Sequence, residues 1–568
     1  MKRIVLITLV VIPSALFIMA GGCAALDRKP ELSHDVAITN MSAPSKCVQG
    51  DTLPVVVTVE NQGTCNESLV AKLSDVTDAL EVGKEMATLS VSTAAACDLT
   101  ITGQEETKTQ FGDWSWVGDV NNDGYDDILI SAEQWKHDGG TNDGRGRAYL
   151  FYGGKNMDAI PDKIFTGENA GDEFSDNGVY LADMNNDGFD DVIIGARYCN
   201  GKGRVYIYWG AQDMDERADI IIDPPSADGS NIQFGRGITV GDLNDDGDMD
   251  LVVSGPEYND WLGRMYLYYG PIASDTTVDK TFTGMRRWDA LGCKVCARGD
   301  VDGDGCDDLI TGIMYWPEWK YNGRAYLYYG APGTNMDEHP DLTFDAEYPK
   351  DEFGCDVDLF DIDNDGYADI IIGARRYPNK NFTGRVYLYW GGDRSSMNND
   401  YDLCFDGEAG AKAALGGESV MGGYVNDDEY GDIVVSAFDY KNFSQHGRAY
   451  LYYGSAKGSM DTTCDHTFTG EEADCQPQRT RVADFNGDGY GDIIMQGYEY
   501  NNYQGRCWLW YGGFKPSSTD VTFNWDTTGA SAGQHMLRAE VVPVAGEDDT
   551  ADNTMTATVN IKSKVKEK

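Results

Sequence analysis

Residues 119–130 read DVNNDGYDDILI. Its first nine positions set four carboxylates and two amides around one glycine, and the chain then turns abruptly apolar. The phrase recurs as DMNNDGFDD (183–191), DLNDDGDMD (242–250), DVDGDGCDD (300–308), DIDNDGYAD (361–369) and DFNGDGYGD (484–492), and in damaged form as YVNDDEYGD (424–432). Successive first residues lie 64, 59, 58, 61, 63 and 60 positions apart. A second phrase keeps step with it: GRAYLFYG (146–153), GRVYIYWG (203–210), GRMYLYYG (263–270), GRAYLYYG (323–330), GRVYLYWG (384–391), GRAYLYYG (447–454) and GRCWLWYG (505–512). Seven copies of two phrases in register exclude chance, and a fixed period of this length marks a repeat architecture.

Each unit parses into four strands. Phe111-Gly112, Phe234-Gly235 and Phe353-Gly354 open a short strand that leads into the acidic phrase. The run after it, such as DILISA or DVIIGA, is too short for a helix. The GRxYLYYG phrase alternates and is aromatic-rich, as strands are. KIFTG, KTFTG and HTFTG, around Phe165, Phe282 and Phe468, supply a fourth. Four strands in each of seven units predict an all-β, seven-bladed β-propeller, with a linear solenoid as the competing architecture. The seventh unit lacks its own fourth strand, and CDLTITG (97–103), ahead of the first unit, has the missing pattern. That segment is expected to complete the seventh blade, which would close the circle and remove its free edges.

The acids of one phrase, brought within about 4 Å, repel by up to about 4 kcal/mol per pair at an effective dielectric near 20. A cation between them removes that penalty. Side chains at positions 1, 3, 5 and 9 with the carbonyl of position 7 make an all-oxygen cage, which suits Ca2+ better than zinc or copper. The candidate ligands are Asp119, Asn121, Asp123, Tyr125 and Asp127 in the first copy, and Asp183, Asn185, Asp187, Phe189 and Asp191 in the second. They are Asp242, Asn244, Asp246, Asp248 and Asp250 in the third, and Asp300, Asp302, Asp304, Cys306 and Asp308 in the fourth. Asp361, Asp363, Asp365, Tyr367 and Asp369 follow in the fifth, and Asp484, Asn486, Asp488, Tyr490 and Asp492 in the seventh. About six ions are therefore expected. The copy at 424 has Tyr424 for its first acid and Glu429 for its glycine, so weak or no binding is expected there. An EF-hand needs an acidic residue at position 12 and flanking helices; Ile130, Ile194, Val253 and Ile372 stand there instead. A solvated Asp/Asn/Gly turn without metal is the competing reading.

Phe-Gly, then a DxDxDGxxD loop, then IIGAR or VSGPE resembles the FG-GAP repeat of integrin α-chain propellers over roughly residues 97–514. The Gly-Ala-Pro element is degenerate: Ser131-Ala132, Gly195-Ala196, Gly255-Pro256. The resemblance implies Ca2+ between strands one and two, and a binding face on the opposite side, built by the loops joining strands two to three and four to one. The two-to-three loops carry Trp135, Tyr258, Trp261, Tyr315, Trp316, Trp319 and Tyr377, rings able to stack on a sugar or grip a protein, or to pack between blades. The segment YWPEWKY (315–321) is the densest. Arg298-Gly299-Asp300 spells an adhesion tripeptide, but Asp300 belongs to a metal cage.

The flanks read as one domain cut in two. Residues 35–64 show two strands and residues 521–561 three, and the pair resembles the beginning and end of a bacterial adhesion-related Ig-like domain of the CARDB type. Neither half alone can bury a sandwich core. The expected organisation is a leader at 1–22, a tether at 24–34, Ig-like halves at 35–96 and 517–562 around a propeller at 97–514, and a charged tail at 563–568. Two separate partial domains are the alternative.

Lys2 and Arg3 precede an apolar run to Ala20, an export signal, and AGGC resembles a lipobox that would lipidate Cys23. Localisation in the cell envelope or at the cell surface follows, with membrane contact only through that anchor. Cysteines of an exported chain can pair; Cys464 with Cys475 and Cys47 with Cys65 are candidates. A net charge of −49 repels nucleic acid and attracts cations. None of the six histidines lies in a HExxH pattern and no GxSxG elbow occurs. The expected function is a Ca2+-stabilised binding or adhesion protein for an extracellular protein or polysaccharide. The alternative is an extracellular polysaccharide-active lyase or hydrolase, which convergent acids beside Lys or Arg on the aromatic face would favour.

Overall fold

The computed structural model describes residues 36–49, 51–61, 67–75, 77, 80–89, 97–104, 108–136, 144–272, 276–317, 320–378, 381–408, 412–426, 428–438, 447–469, 478–514, 518–540 and 554–563. The leader, Cys23, the tether, Trp319, Cys65, Cys475 and the tail beyond 563 lie outside them. Contacts divide the chain into two compact units, residues 96–464 with 469–513, and residues 1–95 with 465–468 and 514–568.

The repeats form seven four-stranded antiparallel sheets. The first comprises Ser115–Gly118, Asp127–Ala132, Arg147–Phe151 and Lys163–Thr166. The sixth ends on His466–Thr469 by hydrogen bonding. The seventh takes its outer strand from the other end of the repeats: Leu99–Thr102 pairs with Arg506–Leu509, Thr102 opposite Arg506 and Leu99 opposite Leu509. The second strand of the first sheet is buried at all six positions. Both of its faces are covered, so its sequence is a continuous apolar run rather than an alternation.

Neighbouring sheets share cores. Leu129, Leu150 and Phe165 of the first pack with Phe174, Val192 and Tyr206 of the second. Ile128, Ile130 and Phe151 of the first pack equally with Ile494, Cys507 and Leu509 of the seventh. The Phe-Gly pair is a turn in the first and third repeats, whose first strands start at Ser115 and Ile238, later than the sequence implies. Its phenylalanine reaches the previous repeat: Gly323 bridges to Phe353. Gly323 has φ +91°, and a Cβ there would lie 2.0 Å from the Phe353 carbonyl, so the GR phrase requires glycine.

The second unit has a three-stranded sheet of Val36–Ser42, Thr52–Asn61 and Ser518–Asp526. Its five-stranded sheet runs Lys46–Val48, Thr554–Lys562, Gly533–Glu540, Glu67–Asp75, Leu80–Leu89. Val55, Val57, Phe523 and Trp525 from the first meet Leu73, Leu537, Val559 and Ile561 from the second in one core. Strands from the two chain ends pair directly, with Val56 opposite Thr522 and Ala539 opposite Leu73. Residues 35–64 hold three strands rather than two, and 67–89 add two more that lack a clean alternation. Buried His535 is held by Asp75 at 2.7 Å on Nδ1 and by the Ser531 carbonyl at 2.6 Å on Nε2.

Candidate functional site

The acidic phrases lie at the turn between first and second strands, and each is wound by its own side chains. Asp119 accepts the backbone N–H groups of Asp123 (3.1 Å) and Gly124 (2.9 Å), and Asp123 accepts that of Tyr125 at 3.1 Å. Asp183, Asp242, Asp300, Asp361 and Asp484 wind their loops in the same way, accepting from positions 5 and 6. Asn185, Asn244 and Asn486 accept the N–H of position 5. The side chains of positions 1 and 3 thus meet at the backbone of position 5, while the position-5 carboxylate accepts the N–H of position 7.

Position 9 does something the sequence did not reveal. Asp127 accepts the N–H of Val120 at 2.9 Å and of Gly153 at 2.8 Å, tying the loop to the end of the third strand. Asp191, Asp250, Asp308 and Asp369 do the same, with Asp492 bonding Phe485 and Gly512. Burial pushes Asp127 and Asp369 up to about 8, and Asp191, Asp250 and Asp492 up to about 7.

Two clusters bring one oxygen of each member within 4.8 Å of the others: Asp300, Asp302, Asp304, and Asp361, Asp363, Asp369. In the second, Asp363 is 5% exposed and neither of its carboxylate oxygens has a protein donor. Burial first, then Asp365 and Asp361, push it up to about 6. The buried Oδ1 of Asn121 is likewise without a donor. Orphaned inward oxygens in an all-oxygen set fit a hard divalent cation.

The loops are also stitched to one another. Asp190 N–H donates to the Asp119 carbonyl at 3.0 Å while Asp119 N–H donates to the Asp190 carboxylate at 2.9 Å. Asp307 and Asp242 repeat this exchange, and so do Asp126 of the first repeat and Asp484 of the seventh. In four repeats the loop after the third strand clips onto the second residue of the preceding acidic phrase, through Gly154 to Phe485, Ala331 to Leu243, Gly392 to Val301 and Gly513 to Val425. Arg298 of the adhesion tripeptide is bound to Asp358 through Nε at 2.9 Å, and Asp300 is committed to its own loop.

In the two-to-three loops the structure pairs rings with the arginine of the GR phrase. Arg147 lies 3.4 Å from the Trp135 ring, Arg264 3.8 Å from Tyr258, Arg324 3.8 Å from Trp316, Arg385 3.9 Å from Tyr377 and Arg506 3.8 Å from Tyr500. Trp135 is 4% exposed and presents no face to a ligand. The second repeat has Cys199 at the equivalent position. Trp261 is half-buried at the end of a turn, Tyr258–Trp261, whose last three residues have positive φ. Tyr315 is half-buried and packs edge-on to Tyr321 at 5.6 Å, and Tyr377 packs on exposed Tyr348 at 5.7 Å.

Convergent charges do occur, at the loop-facing start of the first strands. Asp176 and Glu173 hold Arg197 at 2.6 and 2.5 Å, and Arg479 lies 3.9 Å over Trp114. Burial, opposed by Arg479, leaves Asp113 at about 6, and burial with the Asp113 and Asp176 charges pushes buried Glu133 well above its usual range. The adjoining cavity, lined by Trp114, Trp116, Arg236, Lys294 and Arg481 among others, offers about 40 Å³. That holds about two or three waters, not a sugar ring.

Comparison with known proteins gives FG-GAP-like repeats at residues 119–194 and 183–253 and an FG-GAP repeat at 356–389. The chain is 29% identical to integrin alpha-5 of Xenopus laevis over 154 residues, 25% of this chain and 14% of that protein. It is 32% identical to integrin alpha-IIb of Mus musculus over 153 residues, 25% of this chain and 15% of the relative. It is 26% identical to phosphatidylinositol-glycan-specific phospholipase D of Rattus norvegicus over 369 residues, 55% of this chain and 42% of the relative. The chain thus spans less than half the length of these relatives. It carries FG-GAP repeats on an all-β framework that fits a β-propeller. Among the described residues no helix is long and apolar enough to cross a membrane.

Proposed function

We propose that this chain is an exported, Ca2+-stabilised binding or adhesion protein: a seven-bladed propeller inserted between the strands of an Ig-like sandwich, anchored through Cys23. The reading that six acidic loops take Ca2+ rests chiefly on Asp363, whose two buried oxygens find no donor in the protein. Likeness to integrin α chains supports binding as the role. The ligand, an extracellular protein or polysaccharide, would meet the two-to-three loops of the fourth and fifth repeats and the four-to-one loop between them, where Tyr315 with Tyr321 and Tyr348 with Tyr377 form two edge-on pairs beside Trp316. Tyr258 and Trp261 extend that surface. A screen against glycans and surface proteins, with and without Ca2+, tests this. Saturable binding unchanged by Tyr348→Ala and Trp316→Ala would move the ligand elsewhere.

A second reading, an extracellular hydrolase, is favoured by the acids Asp113 and Glu133 beside Arg479 and by likeness to a phospholipase D. Turnover of a polysaccharide or phosphodiester that Asp113→Asn abolishes would establish it.

A further inference from the structure

Loops 300–308 and 361–369 carry the same acids at positions 1, 3, 5 and 9, yet differ in what enters from the neighbouring repeat. The loop that follows the third strand Arg385–Tyr389 is clipped beside residues 300–308 by Gly392 N–H donating to the Val301 carbonyl at 3.0 Å. From it Arg394 reaches into the acids. Its Nε donates to Asp302 Oδ2, its Nη2 to Asp304 Oδ2 at 2.5 Å and to the Gly330 carbonyl at 3.3 Å. The guanidinium rests 4.6 Å from the Tyr329 ring centre. The remaining oxygens of positions 3 and 5 are also engaged: Asp302 Oδ1 accepts the N–H of Asp304 at 3.1 Å, and Asp304 Oδ1 that of Cys306 at 3.0 Å. No carboxylate oxygen at positions 1, 3 or 5 is left over.

The corresponding residue one repeat on is Lys457, whose ammonium stands 5.9 Å from the Trp390 ring centre and acts on Asp363 through its charge without a hydrogen bond, so both Asp363 oxygens stay donorless. Counted from the same aromatic, the position is Asn156 beside loop 484–492 and Gly333 beside loop 242–250, neither of them cationic. The planar guanidinium can bridge two carboxylates; an ammonium is a point charge that cannot. A Ca2+ ion needs six to eight oxygens. Entering 300–308 it would find Oδ2 of both Asp302 and Asp304 committed, and a positive charge between them.

We propose that Arg394 is a tethered cation that keeps loop 300–308 closed to metal, so that this loop fills only at Ca2+ concentrations well above those that load loop 361–369. The inference rests on the reading of the acidic loops as Ca2+ sites. Neutralised from within, the fourth loop keeps its shape when Ca2+ is withdrawn, while the other intact loops do not.

Equilibrium dialysis of the full chain with radioactive Ca2+, at a free concentration that saturates its tight sites, counts the ions bound. Arg394→Ala is expected to bind one more ion than the parent, the half-filling concentration of the added site falling on the order of tenfold once the intramolecular competitor is gone. Asp302→Asn alone is expected to leave the count unchanged, and Asp302→Asn with Arg394→Ala to return it to the parental value. An unchanged count in Arg394→Ala, or an ion lost in Asp302→Asn alone, overturns the proposal. The latter arm needs no change at Arg394, so it decides even if Arg394→Ala misfolds. A parent that binds no Ca2+ at any loop removes the premise as well, an outcome distinct from a parent that binds ions and ignores Arg394.

Discussion

Loops 361–369 and 424–432 sit in adjacent repeats and share a third-strand partner geometry, but one is intact and the other is not. In the first, Asp361 winds the loop by accepting from Asp365 and Gly366 at 3.2 and 2.9 Å, and Asp363 is left with two donorless oxygens. In the second, Tyr424 replaces the winding acid and lies edge-on to Phe360 at 5.1 Å. Asn426 satisfies the acid at position 5 internally, its Nδ2 donating to Asp428 at 2.8 Å. Yet the ninth position is unaltered. Asp369 accepts from Ile362 and Gly391, both at 2.8 Å, and Asp432 from Val425 and Gly454 at 2.8 and 3.0 Å. The difference separates two jobs within one motif. On the proposed Ca2+ reading positions 1 to 5 gather charge for an ion and are lost in the damaged copy, whereas position 9 holds the loop to the sheet in both.

The largest test removes the ions from every intact loop together. At tenfold excess over Kd each site adds about 1.4 kcal/mol, so the five intact loops other than 300–308 would add about 7 kcal/mol. Calorimetry in a chelator should show Tm falling by on the order of 10 °C, and an unchanged Tm would collapse the distinction drawn above. Asp432→Ala should destabilise by about 3 kcal/mol with or without chelator, because two buried N–H groups lose their acceptor. If that loss appears only with Ca2+ present, the damaged loop binds an ion after all and Asp432 is its ligand. Asp113→Asn tests acids remote from any loop. The folded value of Asp113 near 6 lies above the unfolded 3.8, so its contribution is full below about pH 4 and fades as pH rises through 6. The variant should therefore gain about 1–3 kcal/mol over the parent at pH 8 and nothing at pH 4, by urea melts at both. Asp363→Asn should remove one ion and about 1–2 kcal/mol, in Ca2+ only. Asp428→Asn should shift stability by less than about 0.5 kcal/mol in either condition.

Period and phrase made the repeating sheets legible, because the acidic turn, the apolar second strand and the aromatic third strand each carry a local signature. The swapped strand Leu99–Thr102 was legible too, since the seventh unit lacked a piece that 97–103 matched. The aromatics were read as a surface because sequence gives a ring but not its neighbour. The five Arg–ring stacks join residues of different strands, and the regular spacing from the second-strand aspartate to the ring, eight positions in Trp135 and Tyr377 alike, was the available signal. Asp75 and His535, 460 positions apart, left no local trace, and the position of Arg394 is Asn156, Asp213, Gly333 and Lys457 in other repeats, with no residue type in common.

The direct pairing of Thr52–Glu60 with Ser518–Asp526 has a mechanical corollary. Tension applied between the two chain ends is borne by this ladder, and by Lys46–Val48 on Asn560–Lys562, before it reaches residues 97–513. A protease nick among the intervening sheets would leave both fragments fastened at the shared ladder.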